Sequence, residues 1–159
     1  MINKIRDAIP SDAATILRFI TELAAYEKLA HEVEATVERV HETIFGAGAV
    51  ARAVICEVDG TPAGFAIWFY SYSTRQARKA LYLQDLYVSP HYRGSGAGKA
   101  LLRHLASVAR AEDCSGVEWC VLAWNERAIR VYDAVGAEPM SQCKHYRLAG
   151  TALQEFAAG

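Results

Sequence analysis

At 159 residues the chain has room for one domain, or one domain with a short appendage, and a chain of this length buries enough surface to sustain a core without disulfides or metals. Its 52% hydrophobic and 22% charged residues exclude disordered, collagenous and low-complexity classes. The net charge of −1 hides a pattern: residues 1–59 carry 6 basic and 10 acidic side chains, residues 60–110 carry 7 and 1, and residues 111–159 carry 4 and 7; a basic middle between acidic ends suits an anionic ligand at the centre with a cationic one nearby, or simply solvated faces.

Residues Ile2–Ile9 begin as a strand that Pro10 ends, and Ser11 or Asp12 is placed to cap a helix. Ile16, Leu17, Ile20, Leu23 and Ala24 form that helix's apolar stripe, and a second helix fits Ala35–Phe45, closed by Gly46 and Gly48. Val50–Val58 and Thr61–Tyr72 read as strands around the hairpin signal Asp59-Gly60. Ser73–Ala80 is a polar, basic loop, and Ala80–Ser89 is a third long strand, apolar enough to be central. Tyr92–Gly98 is a glycine-rich turn into a helix over Lys99–Glu112, with Leu101, Leu102, Leu105, Val108 and Ala109 on one face. Val117–Ala123 is another strand. Asn125 caps a helix that carries Ala128, Ile129, Tyr132 and Val135 inward to Gly136, and His145–Leu148 is a last strand. No linker or repeat divides the chain, so residues 1–159 read as a single α/β domain.

No apolar stretch approaches the length of a membrane span, and no secretion or lipidation signal is visible, which points to a soluble cytoplasmic protein. Cys56, Cys114, Cys120 and Cys143 form no C-x-x-C pair and the five histidines are scattered, so no metal site is expected.

The sharpest feature is Arg93-Gly94-Ser95-Gly96-Ala97-Gly98-Lys99, set between a strand and a helix. Glycines let the backbone turn several N–H groups toward one point, and the helix start adds partial positive charge, which together make a phosphate cradle. A Walker A loop would need glycine at Arg93 and Ser or Thr at Ala100, and a dinucleotide fingerprint would need glycine at Lys99, so neither applies. The remaining pattern is R-x-x-G-x-G; a glycine turn without a ligand is the alternative.

With Leu81-Tyr82-Leu83-Gln84-Asp85-Leu86-Tyr87-Val88 before that loop, Leu23-Ala24-Ala25-Tyr26-Glu27 early in the chain, and Trp124-Asn125-Glu126 through Tyr132 to Gly136-Ala137 late in it, the chain resembles the GNAT acetyltransferase superfamily over about Ile5–Leu148. Within it, the chain resembles the spermidine/spermine (diamine) acetyltransferase branch. The resemblance implies a GNAT-type mixed β-sheet flanked by helices on both faces, and transfer of an acetyl group from acetyl-CoA to a primary amine. The acceptor would be a diamine or polyamine, or a lysine-like amino acid. It further implies that the backbone of Leu86, Tyr87 and Val88 pairs with the pantetheine arm. The N–H groups of Arg93, Gly94, Ser95, Gly96, Ala97, Gly98 and Lys99 would hold the pyrophosphate. Asn125 would touch the cofactor arm, and Tyr132 would give a proton to the leaving thiolate. Tyr26, Glu27 and Gln84 would face the acceptor, and the branch implies a homodimer; Asp85, by its place inside the strand, is expected to be bonded or to face the acceptor pocket.

From position alone, Tyr132 shares the inward face of Ala128 and Val135 and could equally be a core tyrosine bonded to a carbonyl. Glu27 follows the apolar stripe of the first helix, where a carboxylate is costly unless it meets a cation or water; a frayed, solvated helix end is the alternative. Asp85 is the only acid between residues 60 and 110 and lies inside a strand.

The branch's usual glutamate is Gln84 here, which can accept a hydrogen bond but cannot take a proton at neutral pH. Asp85 or Glu27 could take over through water, the acceptor amine could be less basic, or catalysis could be weak. Cations in Ser73–Lys79 and at Lys144, where the branch carries acids or an aromatic, would repel a polyamine, so an acceptor with its own carboxylate fits better. An antibiotic or protein amine remains as alternative acceptor, and a weakly catalytic CoA-binding regulatory module as alternative function. Nucleic acid and membrane are not expected partners, because the chain is acidic overall and CoA phosphates account for the basic middle.

Overall fold

In a computed structural model, which describes residues 2–159, Asp59 and Gly60 both take positive φ, 50° and 82°. That is the backbone a two-residue hairpin turn requires. It joins β2 (Arg52–Val58) to β3 (Thr61–Ser73), and β1 (Asn3–Asp7) pairs antiparallel on the other side of β2. β3 runs back antiparallel along β4 (Arg78–Val88), so the hairpin strands take up half of the expected loop at Ser73–Ala80. A helical crossover, α3 (Ala97–Ala111), then brings β5 (Val117–Glu118) parallel to β4, giving a mixed sheet in the order β1-β2-β3-β4-β5.

Helices cover both faces. α1 (Ala13–Tyr26) and α2 (Val37–Phe45) lie on one, where Ile16, Phe19 and Val40 pack against Ala53, Ile55, Phe65, Ile67 and Tyr87. The Phe19 and Phe65 rings stack with centroids 5.5 Å apart. By strand alternation, Val54, Cys56 and Ala66 turn to the opposite face, toward the buried Leu101, Leu102 and Leu105 of α3. Asp12 stands at the entry to α1, but its side chain turns backward to accept from the Ile9 N–H at 2.8 Å and from Arg6 at 2.7 Å. The Arg6 bonds hold its carboxyl below the ordinary range even though burial opposes them.

The described chain divides into two compact units, one ending at Cys120 and one spanning Val121–Gly159. In the second, Asn125 caps α4 (Glu126–Ala134), and α5 (Gly150–Ala157) is a helix the sequence did not signal. Three expectations are corrected. β5 covers only Val117–Glu118 instead of reaching Ala123. His145–Leu148 is not a strand: Tyr146 is 86% exposed, and no described strand offers it a ladder. Val135 is exposed instead of pointing inward, while Ala128, Ile129 and Tyr132 are half-buried.

Candidate active site

Two features leave backbone groups of the first unit available to a ligand. Among the described residues β5 pairs with β4 only through Leu81–Val117 and Tyr82–Glu118, so beyond Tyr82 no described strand pairs with β4 on that side. Leu86, Tyr87 and Val88 lie in this stretch. Tyr87 is buried in the core, its ring centroid 6.2 Å from that of Phe19.

The second feature is the loop after β4. Gly94 and Gly96 take φ of 82° and 84°, a left-handed backbone that favours glycine. Not every N–H there is available. Arg93 donates to the Pro90 carbonyl and Ser95 to the Tyr92 carbonyl, each at 3.3 Å. Ala97 donates to Ser95 Oγ, also at 3.3 Å. Among the described residues, the N–H groups of Gly94, Gly96, Gly98 and Lys99 have no partner within the loop, and they stand at the positive end of the 15-residue α3. This arrangement fits an anionic diphosphate. The Arg93 side chain is used elsewhere. Its Nε donates to the Val88 carbonyl at 3.2 Å, and its guanidinium lies 5.0 Å from the Tyr26 ring centroid and 5.8 Å from that of Tyr87. It therefore ties the end of α1 to the end of β4.

That tie is reinforced by residues the sequence reading missed. Ser89 Oγ donates to Glu22 at 2.8 Å and Arg18 pairs with Glu22 at 2.9 Å. Burial pushes the Glu22 carboxyl up, but bonds from Ser89, Tyr87 and Arg18 outweigh it and leave the group below its usual range. Glu22 lies between the stripe positions of α1, so periodicity alone marks it as solvent-facing.

The acceptor candidates depend on a β-bulge. The register pairs Ile67 with Asp85 and Trp68 with Leu83, leaving Gln84 as the extra residue of β4. Strict alternation would put Asp85 on the α3 face with Leu81 and Leu83. The bulge returns it to the face of Phe65, Ile67 and Tyr87, against which α1 packs. Glu27, at the C-cap of α1, is close enough there to raise the Asp85 pKa. Burial first, and the Glu27 charge second, push the Asp85 carboxyl up to about 6. Burial also raises Glu27. Gln84 itself is exposed and Tyr26 is 37% exposed. A pair of partly desolvated carboxylates is a site for a cation, and one member is placed to exchange a proton near neutral pH.

The loop cations contribute less to this site than their sequence position implies. Arg78 pairs with Asp113 at 2.9 Å and Lys79 with Glu112 at 2.6 Å, both at the C-terminal end of α3. Their charge is answered on the face opposite Asp85, which removes them from an argument about acceptor repulsion.

In the second unit, the Asn125 side chain accepts from the Ala128 N–H at 3.3 Å and so starts α4, which carries Tyr132 two turns later. Among the described residues no group of three or more His, Cys, Asp or Glu side chains is arranged to hold a metal, and no helix is long and apolar enough to cross a membrane.

The model of the acetyltransferase (GNAT) family matches residues 17–137. The thialysine N-epsilon-acetyltransferase of Bos taurus is 35% identical over 164 aligned positions, covering 96% of each chain. The human spermidine/spermine N(1)-acetyltransferase-like protein 1 is 32% identical, over 91% of this chain and 22% of that one. Among solved structures, an integron cassette protein from V. cholerae superposes with a TM-score of 0.84 at 22% identity, over 100% of this chain and 99% of the other, and shares the fold.

Proposed function

The chain belongs to the GNAT acetyltransferase family, and on that premise we propose that it transfers an acetyl group from acetyl-CoA to the terminal primary amine of a lysine-like amino acid, with polyamines as poorer acceptors. The observation that carries the reading is the bulge at Gln84, which sets Asp85 beside Glu27 on the α1 face while the same strand leads into the glycine loop.

The donor supplies an activated acetyl thioester. On this reading the backbone of Leu86, Tyr87 and Val88 aligns its arm. The N–H groups of Gly94, Gly96, Gly98 and Lys99 hold its pyrophosphate, with Arg93, Ser95 and Ala97 shaping the loop from within. Asn125 meets the arm from the start of α4. Tyr26, Glu27 and Gln84 receive the acceptor. An amine must shed its ammonium proton before it can attack. Asp85, at about 6, is a better proton acceptor for that step than an ordinary carboxylate and is still mostly ionised at pH 7. Gln84 cannot do this work. The Tyr132 hydroxyl gives a proton to the departing sulfur, which a phenol can do without being ionised itself at neutral pH.

The amino-acid acceptor is supported by the thialysine acetyltransferase relatives, while the paired Arg78 and Lys79 add nothing to it. The two units act as one GNAT domain, a reading supported by a family match that runs across the boundary at Cys120–Val121. The active form is a cytoplasmic homodimer; exposed apolar side chains at Val131, Met140, Tyr146 and Phe156 support a partner surface in the second unit.

Thiol release from acetyl-CoA, measured across lysine, thialysine, putrescine, spermidine and several other amino acids, tests the proposal. Turnover is expected to be fastest on lysine or thialysine and to fall about 10²-fold or more in Tyr132→Phe. Saturating turnover on spermidine with none on amino acids would overturn the acceptor assignment. No turnover on any amine, with CoA still bound, would favour a binding module.

A further inference from the structure

The glycine loop is held from a distant strand. Asn3, the first residue of β1, reaches across 92 positions of sequence so that its Nδ2 donates to the Ser95 carbonyl at 2.9 Å. The Ser95 carbonyl and the Gly96 N–H belong to one planar trans peptide unit and therefore point in opposite directions. Fixing the carbonyl toward β1 aims the Gly96 N–H away from β1. The peptide needs such a fixture, because Gly94 and Gly96 have no Cβ to restrict them and both sit at positive φ. Asn3 also packs at the loop: a Cβ on Gly96 would meet Asn3 Nδ2 at 3.5 Å, an ordinary contact.

The amide orientation is determined by the same contact. Reversing it would set Oδ1 against the Ser95 carbonyl, acceptor against acceptor. As placed, Asn3 Oδ1 is buried and, among the described residues, has no hydrogen-bond partner. A buried unpaired oxygen costs stability, and an apolar side chain would avoid that cost. What the amide contributes is its other half, the donor, and that bond falls on the loop.

We propose that Asn3 is a positioning residue for the donor site, pinning the Ser95–Gly96 peptide so that the Gly96 N–H faces the pyrophosphate of acetyl-CoA. This rests on reading the loop as a phosphate cradle. Asn3 does not touch the reacting atoms; it acts through the loop, so its loss appears in donor affinity and leaves the chemical step alone.

The test compares acetyl-CoA with S-acetylpantetheine, which carries the same thioester but no pyrophosphate, in the wild type, Asn3→Leu and Asn3→Asp. Leucine removes the donor and the unpaired oxygen together; aspartate keeps the shape and replaces the donor with an acceptor. Both variants are expected to raise KM for acetyl-CoA about tenfold, with kcat at saturating donor and KM for the amine within about twofold. With S-acetylpantetheine, both are expected to match the wild type. Thermal unfolding keeps folding separate, since Asn3→Leu exchanges an unpaired Oδ1 for a Ser95 carbonyl without its donor and is expected to melt within a few degrees of the wild type. An equal loss with both donors, or no loss with either, overturns the role of Asn3. A wild type that uses the two donors equally well overturns the cradle reading, and the role of Asn3 with it.

Discussion

The proposed donor side and the proposed acceptor side of this site are built from different material. The donor side is backbone: an edge of β4 that no described strand pairs with beyond Tyr82, four loop N–H groups and the start of α3. Its side chains mostly serve as scaffolding. Arg93 clamps Tyr26 and Tyr87, Ser95 accepts from Ala97, and Tyr87 fills the core. The acceptor side is made of side chains, chiefly two carboxylates brought together by one extra residue in β4. Backbone donors recognise a phosphate whatever residues carry them, so the donor side tolerates substitution wherever the turn survives. The acceptor side has no such tolerance, because its chemistry lies in the identity and solvation of two groups.

The largest effect expected from breaking this contrast is at Asp85. Asp85→Asn is expected to lower kcat/KM for the amine about 10²-fold, the low end of what general-base assistance supplies, with KM for acetyl-CoA unchanged. The same change is expected to stabilise the fold. The Asp85 pKa of about 6 stands above its ordinary 3.8, so the folded state binds the extra proton between those values and wild-type stability falls as pH rises through them. Asp85→Asn removes that penalty. Its advantage, about 1–3 kcal/mol by urea unfolding at pH 7, is expected to vanish below about pH 4. Lost activity without gained stability would mean that the carboxylate is well solvated.

On the donor side the matching perturbation is Asn3→Leu, where the expected loss is about tenfold, confined to KM for acetyl-CoA. The smallest effect is expected at Gln84. If Asp85 handles the proton, Gln84→Glu adds a carboxylate to a place where the work is already done, and kcat is expected to change less than about threefold. A gain of a hundredfold would show that the exposed bulge residue, and not Asp85, limits the wild type.

The same contrast explains how much was legible in the sequence. The Asp59-Gly60 turn and the Arg93–Gly98 loop announce themselves because positive φ favours particular residue types, and the structure has positive φ at Asp59, Gly60, Gly94 and Gly96. The apolar stripes of α1 and α3 follow from helical spacing. The bulge has no such signature. Leu81 to Val88 reads as an uninterrupted strand, and alternation alone assigns Asp85 to the wrong face. The pairing of Arg78 and Lys79 with Asp113 and Glu112 joins residues about 35 positions apart in the chain, and only the packing of α3 on the sheet brings them together. Asn3 was missed for the same reason. The failed strand at His145–Leu148 had the right composition, but a strand also requires a partner, which composition does not report.

The central claim is that the bulge delivers Asp85 into a poorly solvated site beside Glu27, and a direct titration of the Asp85 carboxyl by carbon NMR tests it. The account predicts a midpoint of about 6 that drops in Glu27→Gln. A midpoint near the ordinary 3.8, unmoved by the Glu27 substitution, would contradict it.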